Sequence, residues 1–148
     1  MRTPKNILVP VDFGEASDAA LAYAVDLAEG TDAKVFVLHT FEIPMVGLPD
    51  GVVAATAELT GRIVNAAQKA LDDAVKRFAG RKVPITSVLK QGDAREIILA
   101  QAKELGADLI VLGTHGRRGI ARALIGSVAE SVVRTSPVPV LTMHGAAR

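Results

Sequence analysis

Short apolar runs alternate with longer segments of three- and four-residue hydrophobic spacing along most of the chain. Ile7-Leu8-Val9-Pro10-Val11 has no polar position, the pattern of a strand covered on both faces. Ala16 to Glu29 then place Ala20, Leu21, Ala24, Val25 and Ala28 on one helical face, with Gly30 positioned to end the helix. Val35-Phe36-Val37-Leu38 predicts a second buried strand. The stretch Phe41 to Val53 holds Pro44, Gly47, Pro49 and Gly51 and predicts a loop. A long amphipathic helix is predicted from the stripe Leu59, Ile63, Ala67, Ala70, Leu71, Ala74, Val75 and Phe78, closed by Gly80. Val83 to Leu89 alternates more than the other strands, which suits a sheet edge. Asp93-Ala94-Arg95-Glu96 has capping-box spacing and opens a helix that stops at Gly106. Leu109 to Leu112 is strand four and Val138 to Met143 strand five. Between them Ser127-Val128-Ala129-Glu130 repeats the capping-box spacing at the start of a helix reaching Thr135.

The resulting order, βαβαβαβαβ, predicts one α/β domain over residues 1–148. It has a five-stranded parallel sheet, doubly wound with helices on both faces and joined by right-handed crossovers. In such sheets ligands bind beyond the carboxyl ends of the strands, where strand order reverses. Asp12 follows strand one and Gly113 closes strand four. If those strands are neighbours, the two residues share a crevice.

Composition narrows the partners. Hydrophobic residues make up 49% of 148 and the formal charge is +1, so no broad basic surface is available for nucleic acid. Arg117, Arg118 and Arg122 form a local basic cluster only. The absence of cysteine removes disulfides and thiolate chemistry. Met1-Arg2-Thr3-Pro4-Lys5 leads straight into a strand, without a signal-peptide core, and no apolar run approaches the roughly 18 residues of a membrane helix. The expectation is a cytoplasmic protein with no membrane or nucleic-acid partner.

The chemistry concentrates between Gly113 and Ser127. Glycines between a strand and a helix allow a tight turn and close backbone approach, and a helix N-terminus favours an anion, most often phosphate. Common alternatives fail. There is no Walker-type Gly-x-x-x-x-Gly-Lys-Ser/Thr, no three-glycine dinucleotide turn after strand one, no Gly-x-Ser-x-Gly and no His-Glu-x-x-His. A phospho-receiver would need an aspartate at the end of strand three, where Leu89-Lys90-Gln91-Gly92 stands instead.

The spacing Gly-x-x-Gly-x9-Gly-Ser, formed by Gly113, Gly116, Gly126 and Ser127, resembles the nucleotide-binding signature of the universal stress protein family. Ile7-Leu8-Val9-Pro10-Val11-Asp12, Val37-Leu38-His39 and Ser136-Pro137-Val138-Pro139-Val140-Leu141 are similar to that family as well, so the resemblance spans the chain. It implies a Rossmann-like sheet of strand order 3-2-1-4-5 and an adenine-nucleotide site for ATP, or AMP or ADP, within the family's ATP-binding subgroup. By position, Asp12 beside Pro10 and Val11 would lie at the ribose or adenine, and the backbone near Thr40 would read the adenine edge. Gly113 and Gly116 would approach the ribose and phosphates, while Gly126, Ser127 and the Val128 N–H would hold the phosphate chain. His115, Arg117 and Arg118 are further ligand candidates in the same loop. Mg2+ could accompany the nucleotide, with Asp12 reaching it through water.

Plainer roles stand beside these. Ser127 could be only an N-cap, the glycines only positive-φ turns, and Asp12 only a capping carboxylate. His39 suits a hydrogen-bonded structural residue, and His144 an inert one near the terminus. Arg117 and Arg118 could be solvated charges, and His115 simply exposed. No catalytic residue is assigned. Neither a general base nor a second carboxylate stands near the glycine loop, so a nucleotide-responsive regulatory module is favoured over a slow ATPase or an interaction scaffold with an idle pocket. An apolar edge at strand five, Val138 to Met143, invites pairing with its own copy, and the family resemblance likewise implies a homodimer through that strand.

Overall fold

A computed structural model describes residues 2–49, 51–54, 56–115 and 125–145. Strands β1 (Asn6–Pro10), β2 (Lys34–Phe41), β5 (Ile85–Gln91), β6 (Leu109–Gly113) and β7 (Val140–Met143) form one parallel sheet in the order β5-β2-β1-β6-β7. Counted along the sheet's own strands this is 3-2-1-4-5, and both expected edge strands lie at edges. Helices α1 (Glu15–Thr31) and α2 (Ala57–Lys76) cover one face, and α3 (Ala94–Glu104) and α4 (Ser127–Thr135) the other.

The central strand shows why an unbroken apolar run was needed. Ile7 and Val9 pack with Leu21, Val25 and Leu71 on the α1–α2 face. Leu8 points the other way, against Ile98, Ile110 and Val132. Each such fully buried aliphatic side chain is worth about 1.5–3 kcal/mol of transfer free energy. The chain winds outward from β1 to β2 and β5, then returns to β6 on the opposite side of β1. The strand order therefore reverses between β1 and β6, and the carboxyl ends of those two strands open a cleft.

Local differences from the sequence expectation have physical causes. Helix α1 runs past Gly30 to Thr31, and Asp32 takes the left-handed terminal position at φ 57°, donating its N–H to Ala28. Asp tolerates that conformation better than most residues, so Gly30 is not required for it. The stretch expected as a loop contains a two-stranded antiparallel sheet, β3 (Met45–Leu48) with β4 (Gly51–Ala54). Its apolar residues were masked in the sequence by interleaved Gly and Pro. The α2 stripe buries Ala67, Leu71 and Ala74, whereas Leu59 in its first turn remains 42% exposed. Strand β7 begins at Val140, two residues later than expected. Among the described residues, no helix is long and apolar enough to cross a membrane.

Candidate functional site

Where β1 ends, the chain makes a closely held turn. Val11 donates its N–H to Leu38 at 2.8 Å, and Asp12 donates its N–H to Ser17 Oγ at 3.2 Å. Asp12 Oδ1 accepts from the Gly14 N–H at 2.9 Å, and Ser17 Oγ donates to the Gly14 carbonyl at 3.2 Å. Gly14, not Asp12, is the N-cap of α1. Asp12 thus braces the turn itself. Phe13 adopts φ 65°, a left-handed conformation that is unusual for an aromatic residue. His39 Nδ1 lies 2.8 Å from the Val11 carbonyl, in keeping with a hydrogen-bonded structural histidine.

The other lip of the cleft is built from β6 and α4. Gly113 does not need a positive φ; its requirement is space. A Cβ there would lie 2.7 Å from Ala16 C and Ser17 N, so the missing side chain lets the start of α1 close onto β6. Thr114 is 1% exposed. Its N–H donates to Met143 at 2.8 Å, its carbonyl accepts from the Gly126 N–H, and its Oγ1 lies 3.2 Å from His144 Nδ1. These bonds tie both ends of the glycine-rich connection to one buried residue. His144, expected to be inert, is part of that anchor.

Helix α4 starts one residue earlier than the capping-box spacing predicts. Gly126 is the N-cap, at φ −61° and ψ 155°, and among the described residues no side chain caps it. Ser127 is the first helical residue, so the predicted Ser127–Glu130 box does not form. Glu130 instead accepts from Arg134 at 2.5 Å. The N–H groups of Ser127, Val128 and Ala129 precede the first intrahelical acceptor and carry the positive end of the helix dipole. Helix α3 is different: its N-terminus is capped by Asp93, which accepts from the Arg95 N–H at 2.8 Å. The Arg95 guanidinium, followed by that backbone bond, lowers the Asp93 pKa to about 2. Of the two helices on this face, α4 has no capping side-chain hydrogen bond among the described residues, and its first-turn carboxylate, Glu130, pairs with Arg134.

These parts surround a cavity of about 330 Å³, within the range of small-molecule sites. Pro10, Val11, Asp12, Thr40, Gly113, His115, Gly126, Ser127 and Val128 all line it. Gly116, Arg117 and Arg118 lie outside the described residues, as do Gly119 and Arg122. Among the described residues Asp12 is the carboxylate in the lining, and His115 Nδ1 is a buried side-chain nitrogen with no hydrogen-bond partner. No group of three or more metal-ligating side chains is found among the described residues.

Sequence reasoning missed the apolar wall, formed by Leu38, Ala94, Ile98, Leu112 and Ala129. In sequence Ile98 lies within the helix opened at Asp93, and Ala129 within the Ser127–Glu130 spacing. Nothing in their spacing distinguishes a core residue from one at the rim of a cleft.

The sheet order, the cleft at its reversal and the uncapped helix beside it define a Rossmann-like α/β protein. Residues 3–144 match the family model described as the Universal stress protein family, and the chain belongs to that family. It is similar to the universal stress protein MJ0531 of Methanocaldococcus jannaschii, 34% identical over 141 residues, covering 94% of this chain and 81% of that protein. Among solved structures, universal stress protein UspA from Lactobacillus plantarum is 26% identical with a TM-score of 0.80, covering 97% of this chain and 99% of the other. Two more distant matches share the fold. One is a universal stress protein solved in complex with cAMP (22% identity, TM-score 0.74, 98% and 100% covered). The other is the Archaeoglobus fulgidus protein in complex with dAMP (23%, TM-score 0.67, 96% and 99% covered).

Proposed function

We propose that this chain binds ATP in the cleft between β1 and β6 and acts as a nucleotide-responsive regulatory module in stress response, one domain over residues 1–148. The observation that carries the reading is the uncapped N-terminus of α4 opening onto the same cavity as Asp12 and Thr40. Ser127 and Val128 offer N–H donors to phosphate at a positive helix end. Asp12 offers a carboxylate to the ribose hydroxyls or adenine, and the backbone at Thr40 an edge for the base. Leu38 and Ile98 give the base an apolar wall. His115, with its orphaned buried nitrogen, gains a polar partner when the phosphates arrive. Gly116 completes the signature in sequence, and Arg117 and Arg118 are further ligand candidates beside it. The family relatives in complex with cAMP and dAMP support an adenine nucleotide as the ligand class.

In this reading the nucleotide is held rather than split. Hydrolysis needs a placed metal, a positioned water and a charge stabiliser, and a single carboxylate in the described lining supplies little of that. Mg2+ would be held mainly by phosphate oxygens and water, with Asp12 in its outer sphere. A cytoplasmic homodimer paired through β7 belongs to the same proposal.

The test is to denature purified protein, identify released nucleotide by mass spectrometry, then incubate fresh protein with ATP and Mg2+ for hours. ATP carried through purification, with no ADP above a protein-free control, is the expected result. Steady ADP formation would establish the slow ATPase instead. Failure to bind ATP, ADP or AMP would leave the scaffold with an idle pocket.

A further inference from the structure

The β1–α1 turn contains more machinery than a loop needs. Phe13 is a bulky residue held at φ 65°, a region that L side chains disfavour, and surrounding structure must compensate for that choice. Two contacts do so. The Phe13 ring packs against the α1–α2 core and sits 4.4 Å from the His39 ring, centroid to centroid and tilted by 45°. The same imidazole places Nδ1 2.8 Å from the carbonyl of Val11, two residues before Phe13. A carbonyl only accepts, so Nδ1 is the protonated nitrogen. His39 follows Leu38 on β2. Leu38 belongs to the α3–α4 core and Val37 to the α1–α2 core, so strand alternation sends the His39 side chain to the α1–α2 face. The residue between the two clamped points is Asp12, which lines the cavity.

We propose that His39 and Phe13 form a clamp that sets the position of Asp12, making His39, which also borders the cavity, a positioning residue for nucleotide binding. The inference rests on the ATP-binding reading above for its functional consequence. The clamp itself is a property of the ligand-free protein. His39 fixes the backbone before Asp12 through the Val11 carbonyl and fixes the residue after it through the Phe13 ring. With both neighbours held, the Asp12 carboxylate keeps the orientation in which Oδ1 accepts from Gly14. A precisely held ligand group spares the ordering cost otherwise charged against affinity.

The experiment combines amide NMR of the ligand-free protein with ATP titration. In the wild type, a long-range proton–nitrogen spectrum should show His39 as the Nδ1-protonated tautomer. An Nε2 tautomer overturns the clamp without any variant. His39→Phe keeps a ring against Phe13 but orphans the Val11 carbonyl. It should shift the Gly14 and Asp12 amide signals, leave those of β7 in place, and weaken ATP roughly five- to tenfold, the scale of a lost buried hydrogen bond. His39→Asn, which returns a donor near the Nδ1 position, should recover much of both readouts. In an Asp12→Asn background, His39→Phe should weaken ATP by less than about twofold further, because its effect passes through Asp12. Full additivity of the two substitutions overturns the proposal, as does an unmoved Gly14 amide in His39→Phe. If the wild type binds no adenine nucleotide, the functional reading falls, while the tautomer and the Gly14 signal still decide the clamp.

Discussion

At the scale of single residues, Gly113 and Asp93 each carry a consequence that their motif alone does not reveal. Gly113 was expected to bring backbone near a ribose, yet its Cβ position is already taken by the start of α1, 2.7 Å away. Backbone on both sides cannot yield as a flexible side chain would. Gly113→Ala should therefore destabilise the ligand-free fold by about 1–3 kcal/mol, the usual cost of overpacking. Thermal denaturation would register this as a fall of roughly 2–4 °C per kcal/mol for a chain of this size. An unchanged melting temperature would restore a purely ligand-facing role. Asp93 gives a pH prediction. Its pKa is depressed from 3.8 to about 2 by the Arg95 guanidinium and N–H. A carboxyl lowered in the folded state binds fewer protons than when unfolded, so its contribution is present above about pH 4 and lost as pH falls towards 2. Asp93→Asn should lower the urea midpoint at pH 6 and flatten its decline between pH 4 and 2, whereas an unaltered slope would remove Asp93 from the acid limb.

At the scale of elements, α4 shows both what the sequence revealed and what it concealed. The helix and its place after the glycine-rich connection were legible from Gly126, the Ser127–Glu130 spacing and the reach to Thr135. The N-cap was not, because Ser-x-x-Glu spacing fits two registers one residue apart. The register with Gly126 at the cap leaves Ser127 in the first turn. The β3–β4 sheet was hidden for a related reason: Pro and Gly mark turns reliably but also punctuate short strands. Ala94 was legible only as part of the capping-box spacing and Ile98 only as an apolar position within α3, since a cleft wall and a core face have the same periodicity. By contrast β1, β2 and β6, buried on both faces, have sequences that admit little else. The α4 register makes a prediction of its own. Ser127 is the first helical residue, where proline is well tolerated, and Gly126 at ψ 155° has the extended conformation that precedes proline. Ser127→Ala removes a hydroxyl and Ser127→Pro removes the N–H as well. Circular dichroism should show α4 intact in both variants. Calorimetric titration should show ATP weakened about five- to tenfold by the alanine and further by the proline, from loss of charge-assisted hydrogen bonds of about 1–2 kcal/mol each. Adenosine, lacking phosphate, should bind all three proteins alike. Equal losses for ATP and adenosine would detach α4 from the phosphates.

At the scale of the whole molecule, the open edge of β7 directs how two copies would meet. Pro139 accepts from the Ile110 N–H, and Met143 accepts from the Thr114 N–H. Alternate residues of a strand point their backbone groups to opposite sides, so Val140 and Thr142 direct theirs away from β6. This register also explains Pro139. Its missing N–H would have faced β6 at the start of the ladder, not the open edge, so the proline does nothing to block an incoming strand. Val133 on α4, 48% exposed, adds apolar surface on the side of the sheet that β7 borders. Among the described residues no strand pairs with the outer side of β7, and such an edge with few charges is a template for a second β7. Thr142→Pro tests this without disturbing β6, because it removes an outward N–H and leaves the inward bonds of Leu141 and Met143 available. Sedimentation velocity at micromolar concentration should give a dimer for the wild type and a 15.4 kDa monomer for the variant, both with the same far-ultraviolet spectrum. A variant that stays dimeric would move the interface away from the β7 edge, and a monomeric wild type would remove the dimer altogether. Because β7 carries the carbonyl that holds Thr114, and Thr114 holds Gly126, the edge is two hydrogen bonds from the helix end proposed to grip phosphate. A dimer formed there would fix Met143, and with it the α4 N-terminus, so monomerisation by Thr142→Pro should also weaken ATP, while leaving the response to Ser127→Ala in place.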